Sequence, residues 1–93
     1  MARQSIRVHI FNQTYSLLAD DADAAALQEL AHEVDELMTS IANRASSGDS
    51  NRVAVLACLH LADKLRTAEN RLKSFEDKSE HIATMLEQAL AQA

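Results

Sequence analysis

Between Ser50 and Ala91 the chain contains neither Pro nor Gly, and its apolar residues keep one rhythm throughout. Ala54, Cys58, Leu61, Leu65, Ala68, Leu72, Phe75, Ser79, Ile82, Leu86 and Ala89 follow one another in alternating steps of four and three. That is a heptad seam sustained over about five heptads, which predicts a coiled coil. The front of the segment, VAVLACLHLA at 53–62, carries a second apolar face made by Val53, Val55, Leu56 and Leu59. The stretch after it, ADKLRTAENRLKSFEDKSEHI, keeps only the one stripe. A helix that is apolar all round is buried on all sides, and one with a single stripe is covered along that stripe alone. One continuous helix is therefore expected to leave a globular head and run on as a stalk, roughly 60 Å long at 1.5 Å per residue.

Two shorter patterns precede it. In SIRVHIF, Ile6, Val8 and Ile10 alternate with Arg7 and His9, the period of a half-buried strand. Asn12-Gln13 then offers a tight turn, and TYSLL resumes with Tyr15 and Leu17 on one face. Two strands are not stable alone, so this hairpin must pack on a helix or on another chain. Leu27, Leu30, Ala31, Val34, Leu37, Met38, Ile41 and Ala45 next form the stripe of an amphipathic helix. Asp20, Asp21 and Asp23 suit its start as caps and dipole partners, and Arg44 suits its last turn. Gly48 can end it, and Asp49 or Ser50 can cap the second helix. The expected fold is α+β and mostly helical. Its head spans 1–65, with a hairpin at 5–18, a helix at 22–45 and the second helix from 50, and its coiled-coil stalk spans 66–93.

At 93 residues the chain is one domain at most, near the size where a single core is only marginally sufficient. Association with copies of itself is the natural way to bury more. The charge of −5 argues against nucleic acid, which needs clustered Lys and Arg. A lone cysteine, Cys58, permits no disulfide within the chain, and its neighbours suggest a small core residue. No run reaches membrane-spanning length and the N-terminus lacks a signal peptide's apolar stretch, so a cytoplasmic protein with no membrane contact is expected.

Charge along the seam speaks to strand direction. With Leu65, Leu72 and Ser79 at a and Ala68, Phe75 and Ile82 at d, the g positions are Lys64, Arg71 and Lys78, and the e positions include Glu69 and Glu76. A parallel pair sets Lys64 against Glu69 and Arg71 against Glu76, whereas an antiparallel pair sets like charges together. The pattern favours parallel chains. Ala68, Ser79 and Ala89 thin the seam, which leaves room for further chains.

Chemistry is sparse. His32 and Glu36 share a helix face, as do His60 and Asp63, but neither pair has the third ligand a metal site needs. His60 fits a hydrogen-bonded interface residue better than a base. One glycine cannot build a phosphate loop, and no nucleophile has a supporting motif. Neither enzyme activity nor a cofactor is expected.

The combination SIRVHIFNQTYSLLA, an acidic helix, and then DSNRVAVLACLHLADKL resembles the ZapA family of bacterial cell-division proteins. The resemblance covers residues 5 to about 66 at motif level, with R-V-A-V-L-A-x-L at 52–59 its most specific part. It implies heads that dimerise, here through Val53, Val55, Leu59 and Leu61, and long helices that join two dimers end to end. The seam residues would be Leu65, Ala68, Leu72, Phe75, Ile82 and Leu86. It further implies that the heads bind the tubulin-like FtsZ, so that one tetramer bridges and bundles protofilaments at the mid-cell ring. By position the FtsZ contact carries over to Gln13, Asn51 and Arg52, with Leu56 nearby. Two departures stand out. The family usually has Gly and then a base in the hairpin turn, where this chain has Asn12 and Gln13, and Asn where this chain has His60. An alternative class, a coiled-coil chaperone gripping clients with hairpins, fits less well because its hairpin would lie between the two helices.

Overall fold

The computed structural model describes residues 2–92. Strands β1 (Arg3–Ile10) and β2 (Gln13–Asp20) precede helices α1 (Ala24–Ala45) and α2 (Ser50–Ala91). This is the expected α+β, mostly helical architecture. Both strands run further than 5–18, and α1 begins two residues later than 22.

The strands form an antiparallel ladder from Arg3↔Asp20 to Ile10↔Gln13. The turn is thus Phe11-Asn12 and not Asn12-Gln13. Both turn residues have positive φ, 49° at Phe11 and 66° at Asn12, as the commonest two-residue hairpin loops require. Asn tolerates that backbone, but Phe does not, at a cost of about 1–2 kcal/mol. Two tertiary contacts offset the strain. The Phe11 N–H donates to Asp35 Oδ1 on α1 at 2.7 Å, and the Phe11 side chain packs on a buried cluster of Met38, Val53 and Ala57. A turn one residue later would also keep Ile6, Val8 and Ile10 on one face, so alternation alone could not choose between the two registers.

That face meets α1. Val8 is 2 % exposed and Ala19 is buried, while Ala31 and Met38 supply the buried positions of α1. Leu27, Val34, Leu37 and Ile41 are half-buried along the expected stripe, but Leu30 and Ala45 stay exposed. A further tie joins helix to strand, Gln28 Nε2 donating to the Arg7 carbonyl at 3.0 Å.

The helix ends differ from expectation. Asp23 occupies the N-cap of α1 without a side-chain cap bond, and Asp20 belongs to β2, where it faces Arg3 at 3.6 Å across exposed surface. Such a pair contributes little. Ser46, not Gly48, adopts the left-handed C-cap of α1 (φ 51°) and returns its N–H to Ala42. The residue doing so must directly follow the last helical turn, and Gly48 lies too far along. At the start of α2 the expected cap is present: Asp49 Oδ1 accepts from the Asn51 N–H at 3.1 Å.

The chain divides into two compact units between Leu59 and His60, earlier than the 65/66 boundary suggested by periodicity. In the first, α1 and the beginning of α2 close the cluster around Val53, which has no exposure at all. The second is helical, and every residue described in it is exposed.

Candidate partner surface

Gln13 and Asn51, far apart in sequence, line one small cavity of about 190 Å³. The hairpin contributes Ile10, Phe11, Gln13 and Tyr15 to it, α1 contributes Met38, and α2 contributes Ser50, Asn51 and Ala54. Each element is placed there by forces already described. The strained turn brings Gln13 directly after the tip, the apolar stripe of α1 delivers Met38, and the Asp49 cap starts α2 so that Asn51 falls in its first turn. The Tyr15 hydroxyl donates to Gln13 Oε1 at 2.9 Å. With its oxygen engaged, the Gln13 amide presents its NH₂ donors, a neutral group and not a cation.

The other positions read from the sequence are distributed unevenly. Arg52 is exposed and Leu56 half-buried, and neither lines the cavity. Of the four residues assigned to a dimer core, Val55, Leu59 and Leu61 are 60 %, 63 % and 45 % exposed, and so remain open to another chain. Val53 is not. It is wholly enclosed by its own chain's core and has no surface left to offer. The front of α2 is correspondingly not buried on all sides within one chain. Cys58 is exposed rather than a core residue, and His60 is exposed too. His32 Nε2 and Glu36 Oε1 do meet, at 3.0 Å, on open surface.

In the second unit the seam positions lie open: Leu65, Leu72, Phe75, Ile82 and Leu86 are each more than half exposed, and Ala68 is exposed as well. Two further residues broaden this stripe and escaped the heptad reading. Met85 and Leu90, 55 % and 75 % exposed, occupy g and e positions beside Ile82 and Leu86. In a parallel pair g meets the following e, so these two are apolar where the earlier heptads carry Lys64 with Glu69 and Arg71 with Glu76. The signal was present in the same g and e spacing used for the charges.

Phe11, which lines the cavity, and Asp35, which accepts its N–H from outside the lining, carry no role in the sequence reading. By alternation alone Phe11 reads as the end of a strand. Asp35 lies on the apolar stripe of α1, since Ala31, Asp35, Met38 and Ala42 follow in steps of four, three and four. A carboxylate inside an apolar stripe was the available sign that something in the fold needs it.

A two-stranded hairpin packed on one helix, followed by a long helix whose heptad seam is uncovered, defines a small α+β, mostly helical protein. The family described as cell division protein ZapA matches residues 6–93, nearly the whole sequence, and the chain belongs to it. A comparison with curated proteins gives no match. No described helix is long and apolar enough to cross a membrane.

Proposed function

We propose that the protein is a non-enzymatic cell-division adaptor that binds FtsZ and crosslinks its protofilaments as a dimer of dimers at the mid-cell ring. Family membership supports a division protein associated with FtsZ. The observation that carries the crosslinking part is the open seam of α2. Five large apolar residues from Leu65 to Leu86 stand more than half exposed in one line, a contiguous stripe that single chains rarely leave uncovered. Burying it against copies of the same helix yields an assembly with more than one head, which is what a bridge between filaments requires.

Gln13, Asn51 and Arg52 are the FtsZ contact in this reading, together with Leu56 nearby. Gln13 and Asn51 sharing a cavity supports a continuous surface across the hairpin tip and the start of α2. Co-sedimentation with assembled FtsZ tests it. The native protein should pellet with filaments, and a variant combining Gln13→Ala with Arg52→Glu should stay in the supernatant while keeping its helical circular dichroism and its oligomeric mass. Equal pelleting of the variant would move the contact elsewhere.

A further inference from the structure

We propose that Asp35 is a positioning residue for the partner surface: its carboxylate holds the hairpin tip in the left-handed turn that sets Gln13 and Tyr15 beside Asn51. This rests on the reading that the hairpin-tip cavity faces FtsZ, and it assigns a role to a residue that lies off the cavity lining.

Two consecutive residues without a glycine adopt positive φ at the tip, and one of them is Phe11. Bulky side chains adopt that backbone only under outside constraint. The hairpin has a competing arrangement close at hand, with Asn12-Gln13 as its turn. That alternative would move Gln13 into the loop and turn Phe11 to the outer face of the strand, dismantling one wall of the cavity. What discriminates between the two lies on α1. Asp35 Oδ1 accepts the Phe11 N–H at 2.7 Å in a partly buried setting, across 24 residues of sequence. A carboxylate accepting from a backbone amide away from bulk water forms one of the stronger protein hydrogen bonds. Only the observed turn presents that N–H to α1. The bond therefore selects the register Ile10↔Gln13, and the register places Gln13 in the cavity wall.

The test uses the full chain, ¹⁵N-labelled, with Asp35→Leu, Asp35→Asn and the double variant Asp35→Leu with Asn12→Gly. The amide resonance of Phe11 and the cross-strand contact between Ile10 and Gln13 report the turn by NMR, and co-sedimentation reports FtsZ binding. Asp35→Leu should shift the Phe11 amide, weaken the Ile10–Gln13 contact and lower FtsZ affinity about tenfold, the scale of one lost charge-assisted hydrogen bond. Asp35→Asn keeps an acceptor oxygen and should recover most of both. Gly at position 12 takes the positive φ of the observed turn at no steric cost, and where NMR shows the Ile10–Gln13 contact restored the double variant should regain binding although it has no carboxylate. A merely structural Asp35 would not be rescued by a change in the turn. Native-like affinity in a folded Asp35→Leu protein, or a double variant that regains the Ile10–Gln13 contact without regaining binding, overturns the proposal. Should Asp35→Leu not fold, Asp35→Asn and the double variant carry the same comparison. If the native protein itself does not pellet with FtsZ, the functional reading fails separately. The NMR register then still decides Asp35, an unchanged Ile10–Gln13 contact in Asp35→Leu counting against it.

Discussion

The residues up to Leu59 and those from His60 onward use apolar side chains in opposite ways. The first unit encloses some of its own, Val8, Ala19, Ala31, Met38, Val53 and Ala57, while leaving others such as Leu18, Leu30, Val55 and Leu59 exposed. The second encloses none, and Leu65, Leu72, Phe75, Ile82, Met85, Leu86 and Leu90 all face outward. Both regions are helical where α2 passes through them, so secondary structure does not separate them. What separates them is what the apolar face meets. The first unit has internal apolar contacts to hold it, whereas the second has only propensity and an unpaired stripe, and most helical stability in proteins comes from packing such a stripe. Substitution should therefore damage folding in one region and association in the other.

The largest effect is expected at Val53. An Asp there would place a carboxylate where no exposure exists, beside Met38 and Ala57, at a cost of about 3–5 kcal/mol. In so small a core that is comparable to the whole stability. Val53→Asp should lose the cooperative thermal transition by circular dichroism, and a variant that still melts as one folded species would break the contrast between the two units.

Ile82→Glu comes next, and it acts on association instead. Ile82 is a d position flanked by Met85 and Leu86, and a carboxylate on that stripe must be desolvated or expelled when helices meet. Analytical ultracentrifugation at micromolar concentration should show tetramers giving way to folded dimers. Those dimers should bind FtsZ filaments singly, with weaker apparent affinity because the second attachment is no longer intramolecular, and bundle them poorly by electron microscopy. A dimer that bundles as densely as the native protein would reduce the seam to a dimerisation device.

Asp49→Ala should have the smallest effect. It removes the bond to the Asn51 N–H, which costs about 1 kcal/mol in typical N-caps, and should lower the melting temperature by a few degrees with oligomeric mass unchanged. If FtsZ affinity fell as well, the start of α2 would be sharpened as part of the contact.

Much of the fold was legible because it depends on periods local in the chain. A step of two gave a strand around Ile6, Val8 and Ile10, and steps of three and four gave both helices, with Asp49 one of the two caps open to the second. The turn was less legible. Asn12-Gln13 and Phe11-Asn12 satisfy the same alternation, and the choice depends on Asp35, which the chain brings near only after α1 has packed on β1. The candidate surface divides likewise: Gln13 and Asn51 were read singly from the family resemblance, and their shared cavity appeared only with the elements assembled.

The sequence by itself determined the order of elements, the long unbroken second helix and the seam along it, because backbone periodicity and the absence of Pro and Gly are properties of neighbours in the chain. Which apolar residues are consumed inside the protomer was decided by tertiary structure alone. Val53 and Val55 are two residues apart on the same helix and equally apolar, yet one is sealed against Met38 and the other is 60 % exposed. Hydrophobicity says only that a side chain gains by leaving water, and the partner it leaves water for is set by where α1 lies.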